Sequence, residues 1–340
     1  MSTTRHIRQE TFPPIGKAGQ EKLRAAKVLI VGVGALGTRL AELLGRAGVG
    51  DLTLVDRDLV ELSNLQRQTL FTSADLGRPK ALAAAEHLTA IDPGLKVVPL
   101  VDEFTPENAL AMARGHELLL DGTDNFETRF LINEVALELR IPWVMAAVVG
   151  SYGQIQPVLP AAEPPTACLV CLMEQVPENP GPTCETAGVI GPAVAVVSAL
   201  AAAEAMKILV GAAGQVCGPV VFDLWQNQWR ALDRVTQRPD CAVCARGERP
   251  YLNGEVAATE AVRYCGTRTV QIRPSRPLST PLEQLVRELP AHFSPELVDG
   301  MLRLKSGGSE LVLFSNGRAL VRDIDSPEAA RRLYAQILGL

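Results

Sequence analysis

A short, wholly apolar run, Val28 to Val31, leads straight into Gly32-Val33-Gly34-Ala35-Leu36-Gly37, and no other feature limits the fold of this chain so strongly. A run without polar alternation reads as a parallel strand buried on both faces. Gly32 and Gly34 allow a tight turn and close backbone approach, and Gly37 lets the following helix lie against the strand. A helical pattern runs from Thr38 to Ala47 and ends at Gly48 and Gly50; a second strand, Leu52 to Val55, finishes at Asp56. This is a βαβ unit. Its helix N-terminus offers free N–H groups to phosphate, and an acid at the end of the second strand suits ribose hydroxyls. Nucleotide binding follows, but the turn does not distinguish NAD, FAD or ATP.

Strands and helices then alternate. The pattern predicts a helix from Pro79 to Leu88, a strand at Lys96 to Leu100, a helix from Pro106 to Ala113 and a strand at Glu117 to Leu120. A helix from Asn125 to Leu139 and a strand at Trp143 to Val148 complete this half. The predicted class is α/β, a doubly wound, mostly parallel, Rossmann-like sheet. From Ser151 onward, Pro157, Pro160, Pro164, Pro165, Pro177, Pro180 and Pro182 predict a long irregular crossover, of the kind that is usually functional. An Ala-rich helix follows Pro192, with strands at Pro219 to Leu224 and Gln228 to Val235. After Arg249-Pro250 the pattern restarts: a strand at Thr269 to Ile272, a helix at Leu282 to Leu289, a hairpin turning at Gly307-Gly308, a strand at Ala319 to Arg322 and a helix at Pro327 to Leu338. The expected division is 1–250, comprising an arm (1–25), a nucleotide-binding part (26–150) and a crossover region (151–250), followed by a small α+β domain, 251–340, of unassigned role.

Composition excludes several classes. Across 340 residues, 33 Lys and Arg against 38 Asp and Glu leave a net charge of −5, and aromatics are 4%. Nucleic acid held by bulk charge or base stacking is therefore not expected. The segment Met1 to Glu10 lacks the apolar core of a signal peptide, and seven cysteines then suggest a reducing, cytoplasmic setting. Ala187 to Ala203 is apolar except for Ser198, but Gly191-Pro192 interrupts it and Glu204 and Lys207 follow. It reads as a buried helix rather than a membrane span.

Chemistry-bearing residues cluster after Asp56. Asp58 and the stretch Ser63-Asn64-Leu65-Gln66-Arg67-Gln68 precede Gly77-Arg78-Pro79-Lys80. Pro79 suits a helix start and places Lys80 in the first turn, where a cation opposes the helix dipole unless an anion lies nearby. Arg67 and Lys80 together favour a triphosphate. Asp124, in Gly122-Thr123-Asp124-Asn125, follows a strand at the sheet's carboxyl edge. Two readings stay open for it: an N-cap with Glu127 completing a capping box, or a Mg²⁺ ligand bridging to triphosphate. Cys168-Leu-Val-Cys171 and Cys241-Ala-Val-Cys244 are two C-x-x-C knuckles, matching the four thiolates of a structural Zn²⁺ site. Cys184, in the crossover, reads either as a nucleophile or as an inert thiol; Cys217 and Cys265 read as structural.

Taken together, VGVGALG at 31–37, VDRDLVELSNLQRQ at 55–68, GRPKA at 77–81, DGTDNFETR at 121–129, PTCETAGVIGP at 182–192 and the paired C-x-x-C resemble the ThiF/MoeB/HesA family over about residues 5–250. These are prokaryotic relatives of ubiquitin-activating enzymes. The resemblance implies ATP- and Mg²⁺-dependent adenylylation of the C-terminal Gly-Gly carboxylate of a small ubiquitin-like sulfur-carrier protein, with release of pyrophosphate. It implies that Asp56 binds ribose, that Asn64, Arg67 and Lys80 meet phosphates with Asp58 and Gln68 in the same nucleotide-binding stretch, and that Asp124 holds Mg²⁺. Arg8 matches an arginine the family supplies across a homodimer interface. Cys184 matches a crossover cysteine that joins the activated carrier covalently in some members. His6 departs from the family's usual Tyr beside Arg5. The tail does not resemble a rhodanese: its only cysteine, Cys265, opens the domain, and Val270 stands where an Arg would close the loop. A sulfurtransferase or cysteine desulfurase is a further partner of such a protein. Thiamine, molybdenum cofactor and tRNA thiolation pathways are all compatible with it. Two other readings rest on the same residues: an NAD-dependent oxidoreductase and a non-catalytic binder of a ubiquitin-like protein. ATP rather than NAD binding separates the first, and Arg8, Arg67, Lys80 and Asp124 count against the second.

Overall fold

The computed structural model describes residues 5–173, 187–256, 268–272, 274, 278, 280–289, 293–306 and 308–338. The chain divides into two compact units, Met1–Val256 and Ala257–Leu340.

In the first unit, β1 (Lys27–Val31), β2 (Asp51–Val55), β3 (Lys96–Leu100), β4 (Leu118–Asp121) and β5 (Trp143–Val149) are parallel, and β6 (Tyr152–Val158), β7 (Val220–Asp223) and β8 (Gln228–Ala231) extend the sheet antiparallel. The order is β3-β2-β1-β4-β5-β6-β7-β8. Helices α1 (Ile7–Glu10) and α2 (Gly16–Ala25) precede β1, and α3 (Ala35–Ala47), α4 (Lys80–Ile91), α5 (Ala109–Ala113) and α6 (Phe126–Leu139) link the parallel strands. One core packs Val28 and Ile30 against Leu40, Leu44 and Leu88, while the opposite core packs Leu29 and Val31 against Phe130, Ile132 and Trp143. Successive residues of β1 thus enter different cores, which is why the strand is apolar throughout. The strand order reverses between β1 and β4, opening the crevice where such sheets bind ligands.

The expected irregular crossover begins later than the prolines predict. Residues 152–158 form β6, paired with β5 through Val158. Pairing with β7 stops at Ile155, opposite Val220, so Pro157 has a neighbour on one side only. A missing N–H is tolerated at such a position. Beyond the short α7 (Leu169–Leu172), α8 (Gly191–Val210) is the one helix among the described residues long and apolar enough to cross a membrane. Its Ala193, Val194, Val197, Ala201 and Ala205 are buried in the first core, as expected of a core helix. Tyr251 to Val256 belong to this unit rather than to the tail: Tyr251 stacks on Phe130 at 5.2 Å, and the Leu252 N–H donates to Glu134 at 2.8 Å.

In the second unit, β9 (Val270–Ile272), β10 (Glu296–Val298), β11 (Met301–Ser306), β12 (Ser309–Phe314) and β13 (Ala319–Arg322) form an antiparallel sheet in the order β10-β11-β12-β13-β9. Leu285 of α9 (Leu282–Glu288) and Leu333 and Ile337 of α10 (Pro327–Leu338) share a core with Leu302, Leu313 and Val321. The sequence pattern missed β10, which turns into β11 through Asp299 and Gly300, both at positive φ (51° and 72°). Gly307 lies outside the described residues.

Candidate active site

Three glycines interlock at the crevice. Gly32 leaves β1 at φ 87°, its N–H bonded to the Val55 carbonyl of β2 at 2.8 Å. A Cβ on Gly37 would stand 1.9 Å from the Gly32 carbonyl oxygen, and one on Gly122, after β4, would stand 2.2 Å from the same oxygen. No side chain fits at either position. Gly34 is different: the nearest atom to a Cβ there is Gln68 Nε2, 3.8 Å away. Gln68 is buried, and its Oε1 has no hydrogen-bond partner among the described residues.

Asp56 anchors this turn. One oxygen accepts the Val33 N–H and the other the Asp58 N–H, each at 2.7 Å. Burial pushes the Asp56 carboxyl above its usual range, against the pull of the Lys80 ammonium. Residues 58–60 run alongside 77–80, through Val60 N–H to the Arg78 carbonyl and Lys80 N–H to the Asp58 carbonyl (both 2.9 Å). Lys80 is thereby fixed as the first residue of α4, with its Nζ 3.3 Å from an Asp58 oxygen. Burial alone would pull the Lys80 amine down, but Asp58, Asp56 and Asp124 outweigh it and the net shift is upward. Three carboxylates thus act on one ammonium, and exposed Asp124 is among them. An excess of carboxylate oxygens is the donor set that suits Mg²⁺ carried on a phosphate.

Asn64 and Arg67 shape the intervening loop. Asn64 Oδ1 accepts the Glu61 N–H at 3.1 Å, and Arg67 reaches the Ser63 carbonyl at 2.9 Å.

The four knuckle cysteines converge although Cys171 and Cys241 are 70 residues apart. Residues 165–167 pair with 235–237, through Ala167 N–H to the Val235 carbonyl at 2.8 Å and Gln237 N–H to the Pro165 carbonyl at 3.1 Å. Sulfur separations are 3.9 Å for Cys168–Cys171, 3.8 Å for Cys168–Cys241 and 3.4 Å for Cys171–Cys244. Tetrahedral zinc with Zn–S of about 2.3 Å would set its sulfurs roughly 3.8 Å apart. The cluster fits that ion. Hydrogen bonds within the cluster pull the Cys171 thiol far down and hold the Cys168 and Cys244 thiols up.

Residues 6–243 match the family model described as the ThiF family. The chain belongs to the ThiF family. Its relatives include the sulfur carrier protein ThiS adenylyltransferase of Bacillus subtilis, 40% identical over 343 residues, spanning 99% of this chain and all of that one. The sulfur carrier protein adenylyltransferase of Thermus thermophilus is 40% identical over 78% of this chain and 97% of its own length. Among solved structures, Escherichia coli MccB with ATP superposes with a TM-score of 0.61 at 20% identity, covering 72% of this chain and 75% of that one; the likeness is one of fold.

Within this ThiF-family chain, the structure brings Gly32, Gly34, Gly37, Asp56, Asp58, Gln68, Lys80 and Asp124 to one crevice. It does not bring Arg8 there. Gln9 donates to the Ala47 carbonyl at 2.8 Å and Arg5 to the Ile91 carbonyl at 2.9 Å, so the arm lies at the C-terminal ends of α3 and α4. The phosphate turn is at the other end of α3, whose 13 residues span about 20 Å. Asp124 is not the N-cap of α6. That role falls to Asn125, whose side chain accepts the Thr128 N–H at 2.8 Å and leaves the Asp124 carboxylate clear of it. Cys184 lies outside the described residues, as does Cys265. Asp121 and Arg129, which sequence reasoning leaves without a role, form a buried ion pair at 2.6 Å. An acid and a base at the two ends of DGTDNFETR were the available signal.

Proposed function

We propose that this chain catalyses ATP-dependent adenylylation of the C-terminal Gly-Gly carboxylate of a small ubiquitin-like sulfur-carrier protein. The observation that carries this reading is Lys80, buried beside a glycine-cradled phosphate turn and surrounded by Asp56, Asp58 and Asp124. Carboxylates gathered round one ammonium suit a nucleotide whose phosphates carry Mg²⁺. Two ThiF-family relatives named as sulfur carrier protein adenylyltransferases, each covered almost end to end, support the same reaction.

The carrier carboxylate, already ionised at neutral pH, attacks the α-phosphorus of ATP without a general base. A carboxyl O–P bond forms, the bond to the bridging oxygen breaks, and pyrophosphate leaves with the electron pair. The turn at Gly32–Gly37 presents N–H groups to the phosphates, and Asp56 accepts from the ribose with lone pairs that Val33 and Asp58 leave open. Gln68 and Lys80 lie at the crevice and would meet the phosphates, Asn64 and Arg67 would join them from the loop between Asp58 and Lys80, and Lys80 would offset the charge developing on pyrophosphate. Asp124, which acts on Lys80 as Asp58 does, would hold Mg²⁺, which supplies charge neutralisation when bound. Cys168, Cys171, Cys241 and Cys244 would hold a structural zinc, consistent with a reducing cytoplasmic setting. Arg8, out of reach of its own crevice, would serve that of a second copy in a homodimer.

ATP–pyrophosphate exchange tests the reading, run with each small Gly-Gly-ending protein of the source organism. Wild type should form labelled ATP with at least one carrier, and Lys80→Ala should lower the rate by about 10²–10³-fold. Silence with every carrier would refute the proposal.

A further inference from the structure

A carboxylate at the tip of a loop is a poor ligand unless something fixes it, and metal sites depend on the residues that orient their ligands. Asp124 is exposed and makes no cap, so its placement comes from its neighbours. Asp121, at the end of β4, is wholly buried, with its two oxygens turned to different partners. Oδ1 accepts the Thr123 N–H at 2.9 Å and the Thr123 hydroxyl at 2.6 Å. Oδ2 accepts the Arg129 Nε–H at 2.6 Å. Arg129 returns through Nη2 to the Thr123 carbonyl at 3.1 Å and to the Ala146 carbonyl of β5 at 3.3 Å.

The result is a closed ring of acid, hydroxyl and guanidinium, with Asp121, Thr123 and Arg129 exposed by 0%, 8% and 6%. Thr123 is gripped by its N–H, its hydroxyl and its carbonyl. On the other side, Asn125 is fixed by capping α6. Asp124 stands between two immobilised residues and carries none of the load itself. A buried ion pair adds little stability over an apolar pair of the same shape, whereas its directed bonds set geometry.

We propose that Arg129 is a positioning residue for the adenylylation. Through Thr123 it sets where the Asp124 carboxylate meets the nucleotide-borne metal ion, while Arg129 touches neither nucleotide nor metal. This rests on the reading of Asp124 as the metal ligand given above.

Lys at position 129 would keep the charge but lose the fork that serves Asp121 and two carbonyls at once. The test uses the full chain with a non-hydrolysable ATP analogue and Mn²⁺ as the probe ion, with free Mn²⁺ followed by electron paramagnetic resonance. Arg129→Lys and Thr123→Val should each weaken Mn²⁺ binding about tenfold while metal-free binding of the analogue is unchanged. Thr123→Ser, which keeps the hydroxyl, should bind Mn²⁺ as wild type does. If Arg129→Lys does not fold, Thr123→Val, nearly isosteric, decides alone. Wild-type Mn²⁺ affinity in Thr123→Val or in a folded Arg129→Lys, with Asp124→Asn impaired, would overturn the positioning role. Wild-type affinity in Asp124→Asn would instead remove the metal assignment, and the inference with it.

Discussion

The two loops that meet at the crevice are built in opposite ways. The β1–α3 turn is made of backbone: Gly32 and Gly37 pack so closely that no side chain fits, and one carboxylate, Asp56, ties the turn through two N–H groups. The β4–α6 loop is made of side chains: Asp121, Thr123 and Arg129 close a buried ring, and Asn125 caps the helix. The first arrangement brings N–H groups close to a ligand. The second holds one outward-facing carboxylate in place. A site that grips an anion and also a cation needs both kinds of loop, and the switch point between β1 and β4 sets them side by side.

Substitutions at the two loops should therefore fail differently. The largest effect is expected from Gly37→Ala, whose Cβ would overlap the Gly32 carbonyl at 1.9 Å. A cost of about 3 kcal/mol or more should lower the melting temperature by roughly 10 °C. Gly34→Ala, whose Cβ would meet only Gln68 Nε2 at an uncrowded 3.8 Å, should melt as wild type does yet bind ATP about tenfold more weakly by calorimetry. Equal melting of the two variants would break the comparison. On the other loop, Asn125→Ala removes a cap and should cost about 1 kcal/mol in urea denaturation, with little effect on ATP binding.

The smallest effect concerns pH. Asp56 is raised above its ordinary 3.8 by burial. Between 3.8 and the raised value, the folded chain keeps a proton that the unfolded chain has released. Its contribution to stability is therefore full below 3.8 and is lost as pH rises through the raised value. Melting temperature measured against pH should lose that segment of slope in Asp56→Asn, and an unchanged slope would show that the turn does not feel the burial of its anchor.

Much of this architecture is legible in the residues, because local signals and tertiary demands agree. The strand at Lys96–Leu100 and the helix at Pro327–Leu338 keep their predicted bounds. The glycine turn reads correctly because its three glycines lie within six residues and each answers a steric need. β6 was hidden because Pro157 signals irregular chain, and only the register of β7 shows that its missing N–H costs nothing there. The Asp121–Arg129 ring was hidden for a different reason: its members are eight residues apart, and only the loop and helix between them make the two ends meet. Asp124 and Asn125 both favour caps, and backbone geometry alone chose between them.

The pairing that unites the two cysteine knuckles also has a consequence in time. A ribosome adding about 5–20 residues per second leaves Cys168 and Cys171 without their partners for roughly 4 to 14 s, because the second knuckle lies 70 residues further along the chain. During that interval a half-made nest of thiols faces the surrounding solution, open to oxidants and to stray metal ions. The newborn protein is therefore more vulnerable before residues 241–244 have been made than after.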